Sequence, residues 1–135
     1  MQKKLIALAV AGLASTGAFA QANVTVYGVA DATFDVVTSV YLFHELPRNA
    51  RRKVVAEIAR VVRPGGLVVI EDSAQPSDSP GLAAVLAGFP TEFHEPFYRD
   101  YLEDDLAALL TEAGLVVDSV EPHLVAKVVT ARRPG

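Results

Sequence analysis

The stretch Arg60-Val61-Val62-Arg63-Pro64-Gly65-Gly66-Leu67-Val68-Val69-Ile70-Glu71-Asp72 decides the fold class. Its first residues complete a helical pattern in which Ala50, Val54, Ile58, Val61 and Val62 recur at helical spacing behind Pro47, predicting a helix over residues 48–62. Arg63-Pro64-Gly65-Gly66 then stops that helix, because proline cannot continue the hydrogen-bond ladder and two glycines release the chain into a turn. Leu67 to Ile70 is a short, β-branched apolar run closed by two acids, the signature of a buried strand. Upstream, residues 34–43 (Phe-Asp-Val-Val-Thr-Ser-Val-Tyr-Leu-Phe) form another strand pattern, apolar on both faces toward its start, as in a parallel sheet covered by helices. Strand, helix, strand in this order is a βαβ unit, parallel and right-handed.

Downstream, residues 73–81 are rich in Ser, Pro and Asp and read as a loop, followed by a short apolar helix near residues 82–87 that is placed to act as a lid. From Leu102, the residues Leu106, Leu109, Leu110 and Ala113 share one helical face. Glu103, Asp104 and Asp105 fall in the first turn of that helix, where acids favour the dipole, and Gly114 follows as its cap. Residues 115–120 and 124–130 read as strands joined across Glu121-Pro122-His123, an antiparallel hairpin.

The chain has 135 residues, 51% hydrophobic and 21% charged, which accommodates one modest core. A net charge of −4 leaves no global basic field, so generic nucleic-acid binding is not expected. With no cysteine there are no disulfides, thiolate metal sites or thiol nucleophiles.

The N-terminus reads as a secretory leader. Lys3 and Lys4 precede an apolar run from Leu5 to Leu13, and Ala18-Phe19-Ala20 supplies small residues before Gln21. Residues 1–20 are therefore expected to be a signal peptide. Asn23-Val24-Thr25-Val26-Tyr27-Gly28-Val29-Ala30-Asp31 follows as a strand pattern, and the two together resemble the start of general porins of Gram-negative outer membranes. A membrane barrel needs at least about eight closed strands of alternating pattern. No such series follows, so a pore is excluded and no stable membrane insertion is expected after cleavage.

From Phe34 onward three segments carry a second resemblance. They are Phe34-Asp35-Val36-Val37 running into Phe43-His44-Glu45-Leu46-Pro47, the stretch from Arg60 to Asp72, and the C-terminal helix and hairpin. In content, order and spacing these resemble the second half of a class I S-adenosylmethionine-dependent methyltransferase of the small-molecule type. The resemblance implies an α/β fold with a partial Rossmann-like sheet, made of the βαβ unit, the C-terminal helix and the hairpin. It also implies S-adenosylmethionine as cofactor and a small-molecule methyl acceptor. The family's Gly-rich turn and ribose-binding acid are not found ahead of Phe34. The expected organisation is thus a leader over 1–20, a porin-like strand and junction over 21–33, and the C-terminal half of a methyltransferase domain over 34–135. Residues 24–29 could cover the open edge of the strand at 34–43 only in antiparallel sense, since a parallel crossover needs a dozen or more residues. An uncovered edge would favour homodimerisation.

Open α/β sheets bind ligands beyond the C-terminal ends of their strands, which singles out Ser39, Val40, Tyr41, His44 and Glu45 after one strand and Glu71, Asp72 and Ser73 after the next. By the resemblance, Ser39 and Val40 border the cofactor. His44 and Tyr41 are the catalytic candidates, with His44 available as a general base, and Asp72, His94 and Tyr98 are candidates for touching the acceptor. The plainer reading, which position alone favours, makes His44-Glu45 a helix-entry turn and the others structural or solvated. The two His-Glu pairs lack the spacing of a two-histidine helical metal site, so no metal is expected from spacing. Arg48, Arg51, Arg52 and Lys53 form a basic first turn that reads as a solvated face. The competing functional reading is a non-catalytic exported, self-associating protein with a vestigial fold. The leader places the chain in the periplasm or outside the cell, whereas the methyltransferase resemblance places it in the cytoplasm.

Overall fold

A computed structural model describes the backbone of residues 5–8 and all of residues 31–135. The porin-like strand at 24–29 and the remainder of the leader lie outside the described residues. The elements are β1 (Leu5–Leu8), β2 (Phe34–Val40), α1 (Arg48–Val61), β3 (Val62–Ser73), α2 (Ala83–Glu92), α3 (Tyr98–Leu102), α4 (Leu106–Glu112), β4 (Val116–His123) and β5 (Ala126–Arg132). Short 3-10 helices occupy Phe43–Glu45 and Pro80–Leu82. The strands make one sheet in the order β1-β2-β3-β5-β4. β2 and β3 are parallel, and β5 runs antiparallel to both β3 and β4. The βαβ unit and the hairpin are therefore as the sequence predicts. No helix among the described residues is long and apolar enough to cross a membrane.

One hydrophobic cluster joins Val54, Val55 and Ile58 of α1, Val37 of β2, Val68 and Ile70 of β3, Leu106, Leu109 and Leu110 of α4, and Val129 and Ala131 of β5. Along β3 the buried residues alternate, Val68, Ile70 and Asp72 being buried while Leu67, Val69 and Glu71 are half-buried. β2, read from the sequence as apolar on both faces toward its start, has Phe34, Val37 and Ser39 buried while Asp35, Val36 and Thr38 are half-buried. Among the described residues, α1 and α4 join the core on the face carrying Val37, Val68 and Ile70, and the opposite face is only partly covered.

Four local differences from the sequence reading have physical causes. Arg63-Pro64-Gly65-Gly66 lies inside β3, whose pairing with β2 shifts register between Phe34 and Val36. Gly65 takes φ +73 and its N–H donates to Arg133 O at 2.8 Å, so the turn is a kink held by β5's end. The helix expected from Leu102 is broken: Asp105 caps α4 by accepting the Ala108 N–H at 2.9 Å, and α3 precedes it. The hairpin turn is Leu124-Val125, with Leu124 at φ 57, and Glu121-Pro122-His123 belongs to β4.

The fourth difference concerns the sheet edge. β1 pairs in parallel with β2, Leu5 opposite Val36 through Leu8 opposite Ser39. The open edge expected on β2 is covered over these residues by a segment that the leader reading assigned to a signal peptide. The long connection from 9 to 33 is what makes a parallel crossover possible, whereas the five residues considered before Phe34 would not.

Candidate functional site

Because β2 and β3 are parallel neighbours, their C-terminal ends emerge on the same side, with Ser39 opposite Ile70 and Val40 opposite Glu71. Tyr41 leaves β2 in the left-handed region at φ 48, its N–H donating to Glu71 O at 2.8 Å. A tyrosine held there costs about 1–2 kcal/mol, and such strain concentrates where a chain must be aimed. The following 3-10 turn, anchored by buried Phe43, sets His44 beside the end of β3.

Asp72 at that end is fully buried. One oxygen accepts the Phe43 N–H at 2.7 Å, and the other meets His44 Nδ1 at 2.7 Å and accepts the Ser73 N–H at 2.8 Å. A carboxylate only accepts, so His44 carries a proton on Nδ1, and its Nε2 is directed to the remaining surroundings. Tyr41, Tyr98 and Tyr101 present to the imidazole in edge geometry at 6.0, 5.9 and 6.3 Å between centroids. Tyr98 and Ser73 share a hydroxyl–hydroxyl hydrogen bond of 2.6 Å, and the Tyr101 hydroxyl donates to Ser73 O. The end of β3 is thus bolted to α3.

Burial disfavours the charged form of His44, but the hydrogen bond and charge of Asp72, aided by Glu45 and Glu95, outweigh it and hold the imidazole above its usual value. Glu95 is pushed up by burial and then by the Glu45 charge, which His44 and His94 partly offset. Tyr98 and Tyr101 are both pushed up, chiefly by burial, so neither is a phenolate at neutral pH.

The structure brings Tyr41, His44, Asp72 and Tyr98 together, and it gives Asp72 to the protein rather than to a ligand, both oxygens being engaged. Ser39 is buried, with its hydroxyl lacking a partner among the described residues, while Val40 is half-exposed. His94 is exposed, and its neighbour Glu95 instead approaches His44. Sequence reasoning weighs Glu95 only within the pair His94-Glu95, which spacing sets aside, and misses Tyr101, because both reach the site from beyond α2, some fifty residues downstream. His44, Glu45 and Glu95 each offer a ligand atom, all within 4.8 Å of one another.

The basic turn is also corrected. Arg51 is fully buried, its Nε donating to Asp104 at 2.8 Å, a terminal nitrogen to Leu46 O at 2.6 Å, and another to Asp100. Arg48 and Arg52 also reach Asp104, at 3.3 and 3.0 Å. This cluster fixes the start of α1 to the α3–α4 corner, and so fixes the turn bearing His44 against Tyr101.

The sequence matches the family described as "Methyltransferase domain" over residues 2–70, so the similarity starts well ahead of Phe34, where the sequence reading began it. An uncharacterized methyltransferase from Synechocystis is 30% identical over 99 residues, covering 71% of this chain and 44% of that protein. A SAM-dependent methyltransferase structure from Methanosarcina mazei superposes with a TM-score of 0.58 at 15% identity, over 79% of this chain and 62% of that one. An O-methyltransferase family protein from Burkholderia thailandensis gives 0.58 at 19% identity, over 77% of this chain and 31% of that one. The chain spans less than half the length of the curated relative it matches. At these identities the two structures speak for the fold.

Proposed function

This chain belongs to the methyltransferase-domain family, and from that premise we propose that it methylates a small-molecule acceptor using S-adenosylmethionine. The observation that carries the reading is the His44–Asp72 pair at the C-terminal ends of two parallel strands, where open α/β sheets bind ligands. The bound cofactor would supply an activated methyl group on a sulfonium. Ser39, whose buried hydroxyl has no partner among the described residues, has hydrogen-bonding capacity to offer beside the cofactor's methionine end, with exposed Val40 next to it. His44, with Nδ1 committed to Asp72, can take an acceptor's proton on Nε2, and Tyr41 borders the same space. Tyr98 and His94 are the remaining candidates for the acceptor wall. Methyl transfer depends mainly on aligning acceptor and donor, so the rigidity of this corner matters as much as the base.

The test is calorimetric titration of the full chain with S-adenosylmethionine and S-adenosylhomocysteine. Saturable binding of both supports the reading and justifies an acceptor screen, while absence of heat at high protein concentration rejects it. The leader pattern of residues 1–20 supports export as the chain's destination, which N-terminal sequencing of protein recovered outside the cytoplasm would establish by a chain starting at Gln21.

A further inference from the structure

The three groups that converge on the solvent side of His44 are all electron-pair donors. His44 spends its Nδ1 proton on Asp72 at 2.7 Å, which leaves the lone pair of Nε2 facing Glu45 Oε1 at 3.5 Å. Glu95 contributes a second carboxylate, and its Oε2 is sealed from solvent with no hydrogen-bond partner among the described residues. Ligand atoms of the three residues lie within 4.8 Å of one another. With the imidazole neutral, its Nε2 lone pair and the two carboxylates face one another without a donor, and either a proton or a metal cation can stand between them.

We propose that His44, Glu45 and Glu95 form a binding site for a divalent transition-metal ion of the zinc or cobalt type. One imidazole nitrogen with two carboxylates is a donor set suited to such borderline ions, and three protein ligands leave a position for water or for an oxygen of another molecule. The Asp72–His44 contact supplies what metal-ligating histidines characteristically have, a carboxylate on the far ring nitrogen that fixes tautomer and ring orientation. Bonds of about 2.0–2.2 Å require the donor atoms to draw closer than their present separation. Glu45 is exposed and free to turn inward, so His44 can stay on Asp72 while the site contracts. The site is invisible to spacing rules because Glu95 joins the adjacent pair only through the fold. Whether an acceptor oxygen fills the open position rests on the function proposed above, whereas the ion itself does not. With an ion on Nε2 that nitrogen is no longer a base, so metal and acceptor proton are alternatives for the same lone pair.

The full chain, stripped with chelator, is titrated with Co²⁺, whose visible absorption reports low-coordinate N/O ligation, and then with Zn²⁺ in competition. One equivalent should bind saturably, and Glu95→Gln and Glu45→Gln should each weaken binding about tenfold or more, with unchanged circular dichroism. Asp72→Asn should weaken it by roughly 10–100-fold through loss of orientation, and the two glutamate variants carry the test if that buried substitution fails to fold. Absence of saturable binding overturns the proposal. So does binding that survives Glu45→Gln with Glu95→Gln, or that disappears instead on replacing the exposed His94 and His123. None of these readouts depends on cofactor binding or methyl transfer, so failure of the metal site and failure of the methyltransferase reading are separable.

Discussion

His44 Nδ1 lies 2.7 Å from Asp72 Oδ1, a contact between residues 28 apart in sequence that exists because β2 and β3 are adjacent and parallel. Asp72 also accepts the Phe43 and Ser73 N–H groups, so it shapes the turn as well as orienting the ring. His44→Gln should lower methyl transfer by about 10²–10⁴-fold if the acceptor must lose a proton, with cofactor affinity unchanged. Equal losses in cofactor binding and turnover would instead mark His44 as structural. Asp72→Asn should lower stability by about 2–3 kcal/mol, because amide nitrogen cannot replace the acceptor at every buried donor, and denaturant unfolding of the two variants side by side separates the roles.

Gly66 has no room for a side chain. A Cβ there would sit 2.8 Å from Arg63 O and 3.1 Å from Asp35 O, both backbone atoms that cannot turn aside, and 2.7 Å from Val62 Cγ2. Gly65 is different in kind: its space is open, but φ +73 makes alanine strained by about 1–2 kcal/mol. Gly66→Ala should therefore cost more than Gly65→Ala in urea unfolding, and the reverse order would show that the kink relaxes around the methyl group.

The βαβ unit and the hairpin were legible because periodicity and glycine-proline punctuation are local, and the crevice at the strand ends followed from topology. What escaped the sequence was whatever depends on distant partners. Arg51 looks like its neighbour Arg52 in a basic run, yet Arg51 is buried because Asp100 and Asp104 come to it across the α1–α3 corner. Glu103, Asp104 and Asp105 looked like the opening turn of a long helix, when Asp105 is its cap and Asp104 faces inward. Glu95 joined the site for the same reason, through a contact with no sequence signature. Leu5–Leu8 satisfied a leader pattern and a strand pattern equally, since both ask only for a short apolar run.

Asp104 should dominate the acid limb of stability. Burial raises its proton affinity, but hydrogen bonds from Arg52 and Arg51 and their charges outweigh that and hold the carboxyl below its usual range. A folded pKa below the unfolded one gives stabilisation that is complete above the unfolded value, near pH 4, and is lost as pH falls through the folded value. Asp104→Asn should destabilise the protein by about 2–3 kcal/mol at pH 7, since it removes one of the two carboxylates that neutralise buried Arg51, and its stability should change less than wild type's between about pH 5 and about pH 2. Parallel pH profiles for the two proteins would remove Asp104 from that role.

The last prediction turns on β1. Its four residues satisfy the edge of β2 from Val36 to Ser39, next to the strand end that carries the candidate site. Removing residues 1–20, as cleavage at the leader would do, takes β1 away and leaves that row of backbone donors and acceptors unpaired on a strand containing Val36 and Val37. Exposed edges of this kind pair with another chain. The truncated protein should therefore dimerise or aggregate with concentration in light scattering, while the full chain stays smaller at the same concentration. Replacing Thr38 by proline in the truncated form should suppress pairing on that edge, because it removes a donor, with circular dichroism confirming that the fold persists. If truncated and full-length chains sediment alike as monomers, β1 does not protect the edge, and homodimerisation through β2 is discarded with it.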